Sequence, residues 1–141
     1  MSRVGEVTLR LVVAAALAVD CVIHLMLADV IQLAAPGGVG GGNLFRAQAL
    51  AAGLAAVLLL ATGRRFAYVV AGLVALSAFV PVLLYTYVAV PALGPIPSMY
   101  DPTWSDDKLI SAVCEGAAAL LAAIGVAVTR RSPISSRPSP R

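Results

Sequence analysis

The sequence predicts an all-α protein: a bundle of four transmembrane helices with both termini in the cytoplasm (N-in/C-in). Three observations predict it. The 141 residues are 60% hydrophobic and 12% charged, against about 45–50% and about 25% in an ordinary soluble domain, and mean hydropathy is +0.94. Four apolar runs, about 9–33, 44–62, 66–90 and 108–129, are each long enough to cross a ~30 Å hydrocarbon core. Arg3, Arg10, Arg64, Arg65, Arg130, Arg131, Arg137 and Arg141 fall on one side of this arrangement. Arg46 and Lys108 fall on the other, among Asp29, Asp101, Asp106 and Asp107. Eight basic residues against two is the asymmetry of the positive-inside rule, and it supports an even number of spans. The spans and their connections use nearly the whole length, so residues 9–129 form one membrane domain with no room for a separate soluble one.

Residues 1–8 read as a short polar cytoplasmic start. A basic start before the Val12–Val19 run resembles a signal peptide, but the apolar character continues to Leu33, beyond the usual 7–15 residues. Asp20 also stands where a lipoprotein cleavage site needs a small residue, so an uncleaved span is expected. The first span carries Asp20 about 16 Å deep. His24 follows one turn later on the same face. An ionised carboxylate at mid-membrane costs roughly 2.5–3.5 kcal/mol on insertion scales, so this face is expected to turn toward other helices. Asp20 can be protonated there or share a proton with His24.

Pro36 and the glycines of Gly37–Gly42 predict a flexible hairpin, since no G-K-[ST] ending or preceding strand marks a phosphate loop. The second span opens with Arg46 and Gln48. Arg46 is expected to snorkel or to meet an acidic partner such as Asp29, and Ala49 with Gly53 permits close helix approach. Gly63-Arg64-Arg65 makes a tight basic turn. Pro81 in the third span cannot donate to the Ser77 carbonyl, which predicts a kink. Tyr85 and Tyr87 suit an interfacial belt.

Residues 91–107 contain Pro91, Pro95, Pro97 and Pro102 with Tyr100 and Trp104, which predicts a short ordered cap. Ser105 is the expected N-cap of the fourth helix, with Asp106 and Asp107 in its first turn. Along that helix Lys108, Ser111, Glu115, Ala118, Ala122 and Gly125 recur at three- and four-residue steps and define one polar-to-small face. Residues 130–141 read as a basic, Pro/Ser-rich cytoplasmic tail, expected to be disordered.

The candidate site follows from depth. Glu115 lies roughly 10 Å and His24 about 13 Å from the same membrane surface. They meet if the first and fourth helices are neighbours. Asp20, His24 and Glu115, with Lys108 and Arg46 as possible additions, form a candidate buried polar or ligand site. Such a set can relay a proton, bind a cation, or clasp two helices together. No catalytic residue is assigned. One histidine supplies at most one axial haem ligand, and a metal triad would need an interhelical contact, so no metal is expected and no cofactor is identified. Cys21 and Cys114 have no metal-type or C-x-x-C spacing and read as buried small residues.

A histidine in the first span, Leu-Phe-Arg-Ala-Gln at 44–48 and Gly-Pro-Ile-Pro at 94–97 before an acidic-aromatic loop resemble uncharacterised small bacterial four-helix membrane proteins. In size and topology the chain is similar to the DoxX-like group, which implies an association with redox or sulfur metabolism. Asp20 also echoes the acidic residue in the first helix of the small multidrug transporters, whose aromatic pattern is missing here. The sequence therefore reads as a bacterial inner-membrane protein, a non-enzymatic ligand-binding, assembly or small complex subunit. The alternatives are a proton-coupled small-molecule transporter and a quinone-linked redox membrane protein. Expected partners are the lipid bilayer and a homo-oligomer or larger membrane complex. Nucleic acid is not expected, because span ends and the tail account for the basic residues.

Overall fold

A computed structural model describes residues 2–129; the predicted tail, 130–141, lies outside them. Four helices follow one another: α1 (Arg3–Ala34), α2 (Gly41–Thr62), α3 (Arg65–Tyr87) and α4 (Asp106–Val128). Each is long and apolar enough to cross a membrane. They form a ring in which α1 packs on α2 and α4, and α3 packs on the same two. Across the diagonals α1 barely touches α3. The start of α1, the α2–α3 turn and the end of α4 share one end of the bundle, where Gly63 meets Arg10 and Gly125 meets Tyr68.

The first helix begins earlier than hydropathy suggests. Ser2 caps it, its Oγ accepting from the Gly5 N–H at 3.2 Å, and Glu6 suits the dipole in the first turn. Residues 3–8, expected as a polar lead, are therefore helical. At 32 residues, α1 is about 48 Å long, more than a ~30 Å hydrocarbon core requires.

The hairpin after α1 departs from expectation. Gly41 and Gly42 belong to α2 and are buried, because α2 starts directly against α1. A Cβ on Gly42 would lie 2.3 Å from the carbonyl oxygen of Ala28, so only glycine permits that approach. The turn itself is ordered: Gly38 (φ +60°) sits under Pro95, whose carbonyl accepts from the Val39 N–H at 2.8 Å. At the opposite end Gly63 closes α2 in the left-handed region, and α3 begins two residues later. Pro81 lies inside α3, which ends at Tyr87 rather than Val90.

The proline-rich connection is an ordered cap, as expected. Leu93 and Ile96 pair through reciprocal backbone hydrogen bonds of 2.9 and 3.0 Å. The Asp101 N–H donates to the Tyr85 carbonyl at 3.0 Å, and Ser98 Oγ donates to the Val90 carbonyl at 2.8 Å. Ser105 then caps α4 by accepting from the Lys108 N–H at 3.3 Å.

Half the bundle is held by small residues. Val13, Ala14 and Leu17 of α1 meet Ala52, Ala55, Ala56 and Leu59 of α2, Ala67, Tyr68, Ala71 and Ala75 of α3, and Ala118 and Ala122 of α4. Without a hydrophobic drive between helices in lipid, close approach through such residues supplies the packing energy. Large apolar side chains such as Met26, Leu54, Leu73 and Leu120 point outward, where lipid tails would meet them.

Candidate functional site

Toward the capped end the helices exchange alanines for polar side chains. Asp20 and His24 stand one turn apart on the inner face of α1, 1% and 8% exposed. From α4 come Ser111 and Glu115, again one turn apart, with Glu115 1% exposed. From α2 comes Gln48, and from α3 Ser77 and the Val74 carbonyl. Because α1 and α4 are neighbours, the depth match between His24 and Glu115 becomes proximity. Ligand-type atoms of Asp20, His24 and Glu115 all lie within 4.8 Å of one another.

The hydrogen bonds radiate from Asp20. Its Oδ1 is 2.8 Å from His24 Nδ1 and 3.2 Å from Ser111 Oγ, and its Oδ2 accepts from Gln48 Nε2 at 3.3 Å. Gln48 is itself held by the Val74 carbonyl (3.1 Å) and by Ser77 Oγ, which reaches Gln48 Oε1 at 3.0 Å. All four helices therefore meet in one polar layer. His24 Nδ1 also approaches the Asp20 carbonyl (3.1 Å), and the Phe45 ring lies against the imidazole at 4.7 Å between centroids.

Donors run short. Ser111 Oγ stands 2.7 Å from Glu115 Oε1 as well as 3.2 Å from Asp20 Oδ1, and one hydroxyl proton cannot serve both. His24, Gln48 and Ser111 supply three donor groups for four carboxylate oxygens, and Glu115 Oε2 is buried with no partner. Charge is short as well: with both carboxylates ionised, the layer's one cationic group is at most His24. In that state the centre is one positive charge short.

Two residues expected at the site are elsewhere. Lys108 Nζ turns up into the cap, donating to the carbonyls of Asp101 and Thr103 (2.5 and 3.0 Å) with Trp104 beside it at 5.5 Å. Arg46 pairs with Asp29 at 2.5 Å and donates to Asn43 at 3.1 Å on the outer surface. Arg46 keeps its charge at the exposed surface beside Asp29, and the largely buried Lys108 ammonium is satisfied by cap carbonyls, so neither enters the layer. Gln48, Ser77 and Ser111 are the residues that sequence reasoning left out of the site, although Ser111 was placed on the polar face of the fourth helix. A single uncharged polar group in an apolar run was the available signal; Gln48 finds its partners on other helices, while Ser77 Oγ lies 2.7 Å from the Val74 carbonyl of its own helix as well as 3.0 Å from Gln48 Oε1. Cys21 and Cys114 are free thiols, half-buried.

Two shallow grooves at the opposite end, lined by residues such as Glu6, Gly63, Arg64 and Thr129, include none of the polar layer. No family model matches this chain, and no curated protein or solved structure matches it.

Proposed function

We propose that this chain is a non-enzymatic ligand-binding component of a bacterial inner membrane, with both termini cytoplasmic and its ligand a small cation held in the polar layer. The observation that carries the reading is the unpartnered, buried Glu115 Oε2 in a layer already one donor short. A clasp built for packing alone has no use for a second buried carboxylate, since each unsatisfied polar group costs about 1–3 kcal/mol. Groups that cost stability persist where they bind something. The basic residues Arg3, Arg10, Arg64 and Arg65 at the terminal end support the orientation.

Melting of chelator-treated protein in detergent separates binding from clasping. Glu115→Gln removes a buried charge whose Oε2 has no partner in the ligand-free layer and leaves Ser111 its amide oxygen to meet, so its Tm is expected to equal or exceed the wild type. Asp20→Asn, which disturbs the acceptor of three side chains, is expected to lower it. A Glu115→Gln protein that melts well below the wild type would make the layer a structural clasp.

A further inference from the structure

Building on this reading of the polar layer as a cation site, we infer that the ligand is a divalent transition-metal cation of the zinc, cobalt or manganese class, held by Asp20, His24 and Glu115. The donor set is one imidazole nitrogen and two carboxylates, all buried, with the ligand-type atoms within 4.8 Å of one another. Metal–ligand bonds of about 2.0–2.2 Å place any two donors on one ion at most ~4.4 Å apart. The three side chains therefore close on an ion with movements of a few tenths of an ångström.

The choice of ion follows from chemistry and charge. An imidazole beside two carboxylates is a borderline set; magnesium and calcium favour all-oxygen shells, and copper(I) favours sulfur. Two ionised carboxylates and a neutral imidazole around a divalent cation sum to zero charge. A neutral cluster is the form a low-dielectric membrane interior tolerates. The ion also supplies what the layer lacks, a positive partner for Glu115 Oε2.

A supporting shell is already in place. Ser111 Oγ contacts both carboxylates (3.2 Å to Asp20 and 2.7 Å to Glu115), and Gln48 Nε2 fixes the other oxygen of Asp20 at 3.3 Å. Ser77 in turn holds Gln48 at 3.0 Å. Carboxylate ligands anchored by hydrogen bonds from a second ring of residues are the usual construction of a metal centre. Because α1 supplies two ligands and α4 the third, the ion would cross-link neighbouring helices at mid-bundle.

The test is titration of chelator-stripped, detergent-solubilised full chain with Co2+ alone, followed by Zn2+ displacement. The expected result is saturable binding of one Co2+ per chain, with visible d–d absorption that Zn2+ abolishes, and a raised wild-type Tm on adding Zn2+. Glu115→Gln and His24→Gln should each weaken Co2+ binding by at least tenfold. Ser111→Ala should weaken it by about 10–100-fold, as loss of a second-ring partner does. Arg46→Gln should leave it unchanged. Absence of saturable Co2+ binding by the wild-type chain overturns the inference, and so does a thiolate-to-cobalt charge-transfer band, which would move the ion to Cys21 or Cys114. If Co2+ fails to bind while Glu115→Gln still melts at or above the wild type, the metal is refuted and the cation-site reading stands. A destabilised Glu115→Gln variant refutes that reading itself.

Discussion

The two halves of this bundle are made from the same four helices by different means. In the terminal half the inner faces are alanine with a few larger residues, and Tyr68 fills the space beside Gly125, where a Cβ would lie 2.2 Å from its ring. In the capped half the same faces carry Asp20, His24, Gln48, Ser111 and Glu115. Alanine packing in lipid is efficient and holds four helices with no polar group. The capped half takes on desolvated carboxylates that this packing does not require. One half thus holds the helices together, and the other uses the rigidity so provided to keep ionisable groups in fixed positions away from water. A binding centre needs such support, because ligands that are free to drift do not converge on one ion.

The largest effect should come from the one place where the capped half depends on contact as tight as that of the terminal half. Gly42→Ala sets a Cβ 2.3 Å from the Ala28 carbonyl oxygen, a backbone atom that cannot step aside. Helices α1 and α2 must separate there, and the loss should reach or exceed the ~1–3 kcal/mol typical of overpacking. Gln48 on α2 and Asp20 on α1, joined at 3.3 Å, would part as a result. A sharply lowered Tm in detergent is the expected readout; an unchanged Tm would show that the helix approach is looser than drawn.

Next comes the terminal half. Leu17 is fully buried in the alanine core, so Leu17→Ala opens a cavity among residues too small to fill it. Large-to-small changes of this kind cost about 2–5 kcal/mol in water. In detergent the transfer part is largely absent and the lower end, about 2 kcal/mol, is expected. The contrast between the halves predicts that Leu17→Ala lowers Tm with a much smaller effect on Co2+ affinity, since the ligands themselves stay in place. Equal loss of both would mean that the halves are coupled more closely than their separate chemistry implies.

What the sequence made legible follows the same division. Four helices were visible from apolar runs alone, and the inner face of α4 from its three- and four-residue spacing: Ser111, Glu115, Ala118, Ala122 and Gly125 are all buried. Asp20, His24 and Glu115 could be brought together by counting depth, because rise per residue is fixed. Depth says nothing about direction at a helix end, so Arg46 and Lys108 stayed possible additions to the site; Arg46 instead meets Asp29, the acidic partner its position suggested, and Lys108 turns to cap carbonyls. Gln48 and Ser77 were hidden because their meaning lies in which helix faces which, and that is decided by packing. Gly41 and Gly42 read as loop by intrinsic propensity, yet they are helical, since the contact with α1 outweighs the ~1 kcal/mol helix penalty of glycine.

The smallest predicted effect is confined to the cap and tests whether the polar layer is insulated from it. Hydrogen bonds from Thr103 hold the Asp101 carboxyl below the usual carboxylate range, against the opposing pull of partial burial, with Lys108 adding its charge. Both the Thr103 N–H (3.0 Å) and its hydroxyl (2.5 Å) donate to Asp101 Oδ1. A carboxyl lowered on folding stabilises the cap above its unfolded pKa of about 3.9 and loses that contribution as pH falls through the folded value. Trp104, the sole tryptophan, lies 5.5 Å from Lys108 Nζ and 6.4 Å from the Tyr87 ring, so its fluorescence reports the cap. That fluorescence should stay flat from pH 8 to about 5 and change only below about 4, and Asp101→Asn should remove the change. Asp101 is exposed, so screening keeps its contribution small and Tm at neutral pH should hardly move in the variant. A Trp104 transition that survives in Asp101→Asn but vanishes in Glu115→Gln would show the cap responding to the buried carboxylates, and the separation of cap from polar layer would fall.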